Sequence, residues 1–343
     1  MKKVIIHLIN SISFSGLENV ACDIIKNSSS DFKHIYVTQD GPIIDSLKEK
    51  NISYEIINKM SIKELKRVIK KYNVDIIHAH DFTASCIAAM SFAKLPIISH
   101  LHHNAPWLKK VNVKTILYLL CSFRIKKILT VSKAIENEYV FSKFIKNKIE
   151  CIGNPISVKK IRSRVSDKNY EKQYDICCVG RLTDAKDPIR WLNIISEVKK
   201  QIPNIKCAWV GDGELRELFK SKINELGLEE NVELLGFQKN PYIYMAASKI
   251  YLQTSAWEGF GLTAFEALSL GLPAIVSNVG GLPMIVDDSC GKLCDSNKEF
   301  IESIMMLLTD DNSYNITLNN SIKKSEILDN VDLYFNTITS YYF

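Results

Sequence analysis

The chain has 343 residues, 46% hydrophobic, 24% charged and 9% aromatic, a globular composition that excludes collagen-like, fibrous and disordered chains. Its length suggests two domains, each able to bury its own core. The formal charge of +6 is unevenly placed: residues 1–150 hold 23 Lys/Arg against 13 Asp/Glu, a charge of +10, and the remainder carries −4. A basic first half suits a phosphorylated substrate, an anionic lipid surface or nucleic acid, and solvated lysines on helix exteriors are the plainer reading.

No window reaches the ~18 apolar residues of a membrane span, the longest candidate, 116–123, being too short. Residues 1–10 superficially resemble a signal peptide, but His7 interrupts the apolar run and no small-residue cleavage site follows, so a first strand is expected. Nine cysteines, odd in number and without a C-x-x-C, predict buried free thiols in a reducing cytoplasm rather than disulfides or zinc.

Along the chain, β-branched runs predict strands at 4–9, 34–38, 54–57, 75–78, 96–101, 127–131 and 148–152. Amphipathic helices alternate with them, such as 61–72 with Ile62, Leu65, Val68 and Ile69 on one face. The pattern pauses at Gly153-Asn154-Pro155 and a polar stretch, then restarts with strands at 175–179, 206–210, 232–235, 250–252 and 273–277. The reading is α/β: two doubly wound, Rossmann-like domains in tandem with a boundary near 155–172. Ligands of such sheets bind at the carboxyl ends of the strands, and a cleft between the domains is the expected active site.

Two loops carry the chemistry. W-E-G-F-G-L-T-A-F-E-A-L at 257–268 follows a strand and opens a helix running to about Leu270. Gly259 and Gly261 free the backbone so that the N–H groups of Phe260, Gly261, Leu262 and Thr263 can converge on an anion at the helix N-terminus. Glu258 precedes the helix and Glu266 lies two turns in; if both were helical, about 100° per residue would set them about 80° apart. They would then touch two parts of one elongated ligand and no common metal. V-G-R-L-T-D-A-K-D at 179–187 places Arg181 and Lys186 at the first strand-to-helix turn of the second domain, a forked and a point cation suited to a diphosphate. A third loop, at 11–18, carries Gly16 before a helix.

The combination of G-R-L-x-x-x-K, V-G-D-G at 210–213, E-G-F-G-L-x-x-x-E and G-L-P resembles the retaining glycosyltransferases of family 4, with the GT-B fold. The resemblance runs from the Gly16 loop to about Leu308 and is dense from 179 to 283. It implies that Glu266 holds the ribose hydroxyls of a nucleotide sugar and Glu258 the donor sugar. Arg181 and Lys186, helped by the backbone of Gly261, Leu262 and Thr263, would neutralise the diphosphate. Gly236, Phe237 and Gln238 would border the base, Gly16 would let its loop approach donor and acceptor, and His102 would sit beside the transferring sugar. Residues 1–156 are then expected to bind the acceptor and 157–327 the nucleotide sugar, with a helix at about 328–343 returning to the first domain. Ser15 stands where many relatives carry a glycine, Met284 where a glutamate is usual, and His103 where a small or acidic residue is common.

The resemblance implies retention of anomeric configuration, with no cofactor and no metal, in keeping with the absence of any D-x-D triplet. The expected reaction moves a sugar, from a uridine rather than a guanosine donor, to a cell-surface polysaccharide precursor on a lipid carrier, as in O-antigen or capsule synthesis. The place is the cytoplasm, with peripheral attachment to the inner face of the plasma membrane, and nucleic acid is not an expected partner. An epimerase or phosphorylase on the same fold, and a nucleotide-sugar-binding subunit without turnover, are the rivals. A dinucleotide oxidoreductase is disfavoured because no G-x-G-x-x-G follows either first strand. All seven histidines fall between 7 and 103; a metal cluster, structural histidines and substrate contact by His102 are the three readings. Residues 107–127 combine Trp107, Leu108, Ile116, Leu117, Leu119, Leu120 and Phe123 with six cations, a surface for an anionic membrane or a core helix with basic ends.

Overall fold

The structure is a computed structural model that describes residues 2–13, 16–165 and 171–343; Ser15, and with it part of the Gly16 loop, lies outside them. The chain divides into two compact units, Met1–Pro155 with Asn330–Phe343, and Ile156–Asp329.

In the first unit the strands are β1 (Lys3–Leu8), β2 (Phe32–Gln39), β3 (Tyr54–Ile57), β4 (Ile76–Ala79), β5 (Ile97–Leu101), β6 (Lys127–Thr130) and β7 (Ile149–Cys151). They form one sheet in the order β3-β2-β1-β4-β5-β6-β7, and each neighbouring pair is parallel. Strands buried on both faces read as the near-continuous Ile, Val and Leu runs seen in the sequence. The order reverses between β1 and β4, the switch point at which such sheets bind ligands. Asp81, just past β4, fastens that edge: its carboxylate caps the helix Phe82–Met90 by accepting the Ala84 N–H at 2.7 Å and takes the Asn10 N–H, beyond β1, at 3.0 Å.

The second unit holds β8 (Tyr174–Val179), β9 (Cys207–Val210), β10 (Val232–Gly236), β11 (Ser248–Gln253), β12 (Ala274–Ser277) and β13 (Gly291–Cys294). Their order is β10-β9-β8-β11-β12-β13, again parallel, with the switch point between β8 and β11. Trp191, Trp209 and Phe219 are fully buried at the centre of its core. Twelve strands lie where the β-branched runs predict them. β13 does not announce itself, because G-K-L-C has no β-branched residue and forms a half-exposed edge.

The helix 61–72 reads as predicted, with Ser61 as its N-cap and Leu65 and Val68 buried. The segment 107–127 does not form a core helix. Leu108 is buried and Trp107 packs edge-on against Phe82, whereas the helix Val113–Ser122 buries Thr115, Tyr118, Cys121 and Ser122. Its apolar residues Val113, Ile116, Leu117 and Leu120 face outward. All nine cysteines are free, and eight are buried.

The last helix, Val331–Ser340, packs on the first sheet: Tyr334, Phe335, Ile338 and Tyr342 cluster with Ile5, Phe32, Ile76, Ile98 and Leu129. Tyr342 is fully buried and its hydroxyl meets His78 Nδ1 at 2.7 Å. Removing a buried aromatic ring leaves a cavity as well as losing transfer free energy, about 3–5 kcal/mol. Tyr342→Ala is therefore expected to lower the stability of the first unit by that amount in urea unfolding. An unchanged midpoint would mean that the chain end does not hold this core.

Candidate active site

In the second unit the loops after β8 and β11 are stitched together at the switch point. The Ala256 N–H donates to the Ala185 carbonyl at 3.0 Å, and Thr254 Oγ1 donates to the Asp187 carbonyl at 3.0 Å. This apposition brings Lys186 onto Glu258. Their side chains are hydrogen-bonded and largely buried, with relative exposures of 19% and 16%. The Glu258 carboxylate also accepts Gln253 Nε2 at 2.9 Å and the Gly259 N–H at 3.1 Å. Burial raises the pKa of Glu258, but the Lys186 charge and these hydrogen bonds outweigh it and hold the carboxyl below its usual range.

The helix after this loop is Leu262–Ser269, so Glu258 lies before it and the reckoning of two glutamates on one helix does not apply. Gly261 is the N-cap at φ +105°, a left-handed backbone that glycine adopts without strain. No side chain caps the helix, which leaves its first N–H groups available to an anion. Behind it, Thr263 Oγ1 and Tyr251 Oη are 2.7 Å apart, and the Tyr251 hydroxyl meets Gln253 Oε1 at 2.9 Å. This polar floor holds Gln253 under Glu258. Gly211, of the V-G-D-G motif, has a supporting role: a Cβ there would sit 2.0 Å from the Gly180 carbonyl oxygen, so only glycine lets the β9 loop lie against the Arg181 loop.

Glu266 is half-buried on the helix and accepts the Tyr242 hydroxyl at 3.0 Å. Burial raises its pKa to about 7, against the opposing Tyr242 hydrogen bond and the Lys160 and Lys186 charges. The two glutamates thus share the field of one lysine. Arg181 is exposed and makes no ion pair among the described residues. Gly236 has φ +66° and bonds through its carbonyl to the Gly211 N–H at 2.8 Å. Phe237, at the carboxyl edge of β10, is 77% exposed.

The structure therefore gathers Lys186, Glu258 and Glu266 round the uncapped helix, while Gly16 and His102 belong to the first unit. Gly16 opens the helix Gly16–Asn27 and is exposed. His102 is 7% exposed and His103 is open. Burial, then His100 and His103, lowers the His102 pKa well below its usual value. Gln253, Tyr251 and Tyr242 were not found from the sequence, since nothing but their contacts marks them as part of the site.

Comparison with known proteins identifies the family. The family model "Glycosyltransferase Family 4" matches residues 33–160, and "Glycosyl transferases group 1" matches residues 159–324. The chain belongs to these glycosyltransferases, enzymes of the family 4-like GT-B class. A glycosyltransferase of Methanocaldococcus jannaschii is 30% identical over 241 residues, 64% of this chain and 59% of that one. A UDP-Gal:α-D-GlcNAc-diphosphoundecaprenol α-1,3-galactosyltransferase of Escherichia coli is 26% identical, covering 90% of this chain and 89% of its own. The capsular polysaccharide biosynthesis glycosyltransferase CapH of Staphylococcus aureus is 26% identical over 80% and 81%. Among solved structures, Anabaena HepE in complex with UDP superposes with a TM-score of 0.83 at 20% identity over 99% of both chains. It is evidence for the fold.

A raised carboxyl pKa makes the folded protein bind protons that the unfolded chain has lost. Glu266 should therefore contribute most stability below about 4.5, its ordinary value, and lose that contribution as pH rises through about 7. In urea unfolding of the ligand-free protein, Glu266→Gln should lack this loss between pH 5 and 7.5. If wild type and variant keep parallel pH profiles, Glu266 does not titrate there.

Proposed function

We propose that this enzyme is a retaining, metal-independent glycosyltransferase that moves a sugar from a uridine nucleotide sugar to a lipid-linked precursor of a cell-surface polysaccharide. The observation that carries the reading is the buried Lys186–Glu258 pair beside an uncapped helix N-terminus. That is a cation, an anion and a set of N–H donors within one polar niche. The printed activity of the E. coli relative and the capsular role of the S. aureus relative support the acceptor class.

In this reading Lys186, Arg181 and the N–H groups of Gly261, Leu262 and Thr263 take the donor diphosphate. Glu266 holds the ribose hydroxyls, and the exposed Phe237, with Gly236 and Gln238, borders the base. Gly259 and Phe260 shape the loop that brings Glu258 to the sugar hydroxyls. Gly16 admits the donor phosphate and acceptor, and His102 lies beside the transferring sugar. The bond from the anomeric carbon to the leaving phosphate oxygen lengthens through an oxocarbenium-like transition state. The acceptor oxygen attacks the same face as it loses its proton to that phosphate oxygen. Negative charge grows on the leaving diphosphate, where fixed cations and a helix N-terminus stabilise it without reorganisation. These groups supply the charge that a divalent ion would otherwise bring, so no metal is assigned to the donor.

In this reading a nucleotide-sugar donor and a lipid-linked acceptor meet at the cytoplasmic face of the membrane. No helix of the described residues is long and apolar enough to cross a bilayer. The outward residues Val113, Ile116, Leu117 and Leu120 continue into exposed Val111 and Phe123. Lys109, Lys110, Lys114, Arg124 and Lys126 lie exposed around them. Apolar side chains ringed by cations suit an anionic lipid surface.

Three outcomes test the proposal. UDP and UDP-sugars should raise the melting temperature with EDTA present, since a ligand that binds only the native state stabilises it; no shift with any uridine or guanosine compound would contradict it. Glu266→Ala should weaken nucleotide binding about tenfold or more, while Glu258→Ala should chiefly lower turnover; full activity in both would remove the site from these residues. Vesicles containing anionic phosphatidylglycerol should sediment the wild type at low salt, and Leu120→Gln with Phe123→Gln should not sediment. Equal binding of both proteins would remove the membrane surface from this helix.

A further inference from the structure

His102 ends a buried chain of imidazoles that runs across the first sheet. Its Nε2 lies 3.3 Å from His80 Nδ1, His80 Nε2 lies 2.9 Å from His7 Nδ1, and His7 Nε2 lies 2.9 Å from His34 Nδ1. The fold builds it by register. β1 lies between β2 and β4, His7 pairs with His78 in the ladder, and His80 and His102 continue the faces of β4 and β5 by a period of two. His78 stacks on His80 with ring centroids 4.2 Å apart, its Nδ1 taken by Tyr342. His100 lies against His102 at 4.1 Å, with neither ring nitrogen hydrogen-bonded among the described residues. These two rings insulate the chain and supply no proton to it.

Every link joins an Nε2 to an Nδ1, so the chain has a direction. Burial is the largest cause holding all four rings to their neutral forms: His7, His80 and His102 are pushed well below the usual value and His34 to about 4. A neutral imidazole has one N–H and one bare nitrogen. Two proton orders therefore satisfy all three links, one with every ring protonated on Nδ1 and one with every ring protonated on Nε2. The far end distinguishes them. His34 Nε2 is buried without a partner among the described residues. Protonation on Nε2 throughout would leave an N–H donor stranded there, whereas protonation on Nδ1 leaves only a bare lone pair. Among buried backbone groups an orphaned N–H donor is rarer than an under-satisfied acceptor, and the imidazole end is read by the same preference.

We propose that the chain His34–His7–His80 fixes His102 as its Nδ1–H tautomer, with Nε2 accepting from His80 and Nδ1–H as the group left for a ligand. His80, His7 and His34 are then positioning residues. Where His102 lies beside the transferring sugar, as the proposed function has it, it acts as a hydrogen-bond donor to a sugar oxygen and not as a general base. That consequence rests on the functional reading; the tautomer does not.

The test is a two-bond proton–nitrogen NMR correlation on the ring-15N-labelled full chain near neutral pH, with His102 assigned by the signals lost in His102→Asn. The proposal expects His102 to be protonated on Nδ1 and bare on Nε2. His80→Phe should turn it into a mixture containing Nε2–H, and His103→Gln, outside the chain, should leave it unchanged. An Nε2–H tautomer in the wild type would overturn the proposal. So would a tautomer unmoved by a folded His80→Phe, or a stoichiometric transition metal on the ring nitrogens of His80, His100 and His102, which lie within 4.8 Å of one another. The wild-type spectrum decides even if His80→Phe fails to fold. In turnover, His102→Asn, whose amide nitrogen stands near the place of Nδ1, should exceed His102→Gln by about tenfold. Equal turnover in the two, with Nδ1–H seen in the spectrum, would contradict the sugar contact and leave the tautomer intact.

Discussion

The Lys186–Glu258 pair joins two loops that are 72 residues apart in sequence, and the second unit's site is organised round it. Two largely buried charges are tolerated only when each has its partner and further hydrogen bonds. Gln253 and the Gly259 N–H supply those bonds to the carboxylate, and the Thr263–Tyr251–Gln253 contacts fix Gln253 in turn. Three residues on, Gly261 turns the chain into the helix through a left-handed backbone that glycine adopts without strain. The Gly281 N–H, donating to the Glu258 carbonyl at 3.3 Å, ties the G-G-L-P segment to the same loop.

The two sheets share a parallel, doubly wound plan but use their switch points differently. In the second, the strand ends carry charge that is matched within the niche, and Glu266 has its pKa raised to about 7 by burial. In the first, the strand ends carry neutral imidazoles stacked and linked away from water, and Asp81 ties two of the loops together. The second unit thus presents paired fixed charge, and the first a histidine that burial keeps neutral. In the proposed transfer reaction, fixed charge of this kind stabilises a leaving diphosphate without reorganisation.

Most of the fold was legible because parallel strands covered on both faces need uninterrupted β-branched runs, and twelve of these stand out in the sequence. β13 was not, since Gly291 and Lys292 read as loop residues and only pairing with Ala274 and Ile275 makes them a strand. The E-G-F-G-L-x-x-x-E and G-R-L-x-x-x-K loops were legible as motifs, but the Lys186–Glu258 contact depends on β8 and β11 being neighbours. The same holds for the histidines. A spacing of two placed His78 with His80 and His100 with His102, yet only the β1–β4 register brings His7 into the chain and β2 adds His34. The helix Val113–Ser122 shows the opposite failure: its apolar residues run nearly all round, so pattern alone did not reveal that Tyr118 faces inward and Leu120 outward.

The central claim is that Lys186 is shared between Glu258 and the donor diphosphate. It is tested most directly by a double-mutant cycle on UDP affinity, using titration calorimetry of wild type, Lys186→Met, Glu258→Gln and the double variant. The account predicts that Lys186→Met weakens binding and that Glu258→Gln, by freeing the lysine, does not. It also predicts a coupling larger than about 0.5 kcal/mol, because residues that share one partner do not add independently. Effects that add within about 0.3–0.5 kcal/mol, or UDP affinity indifferent to Lys186, would contradict it.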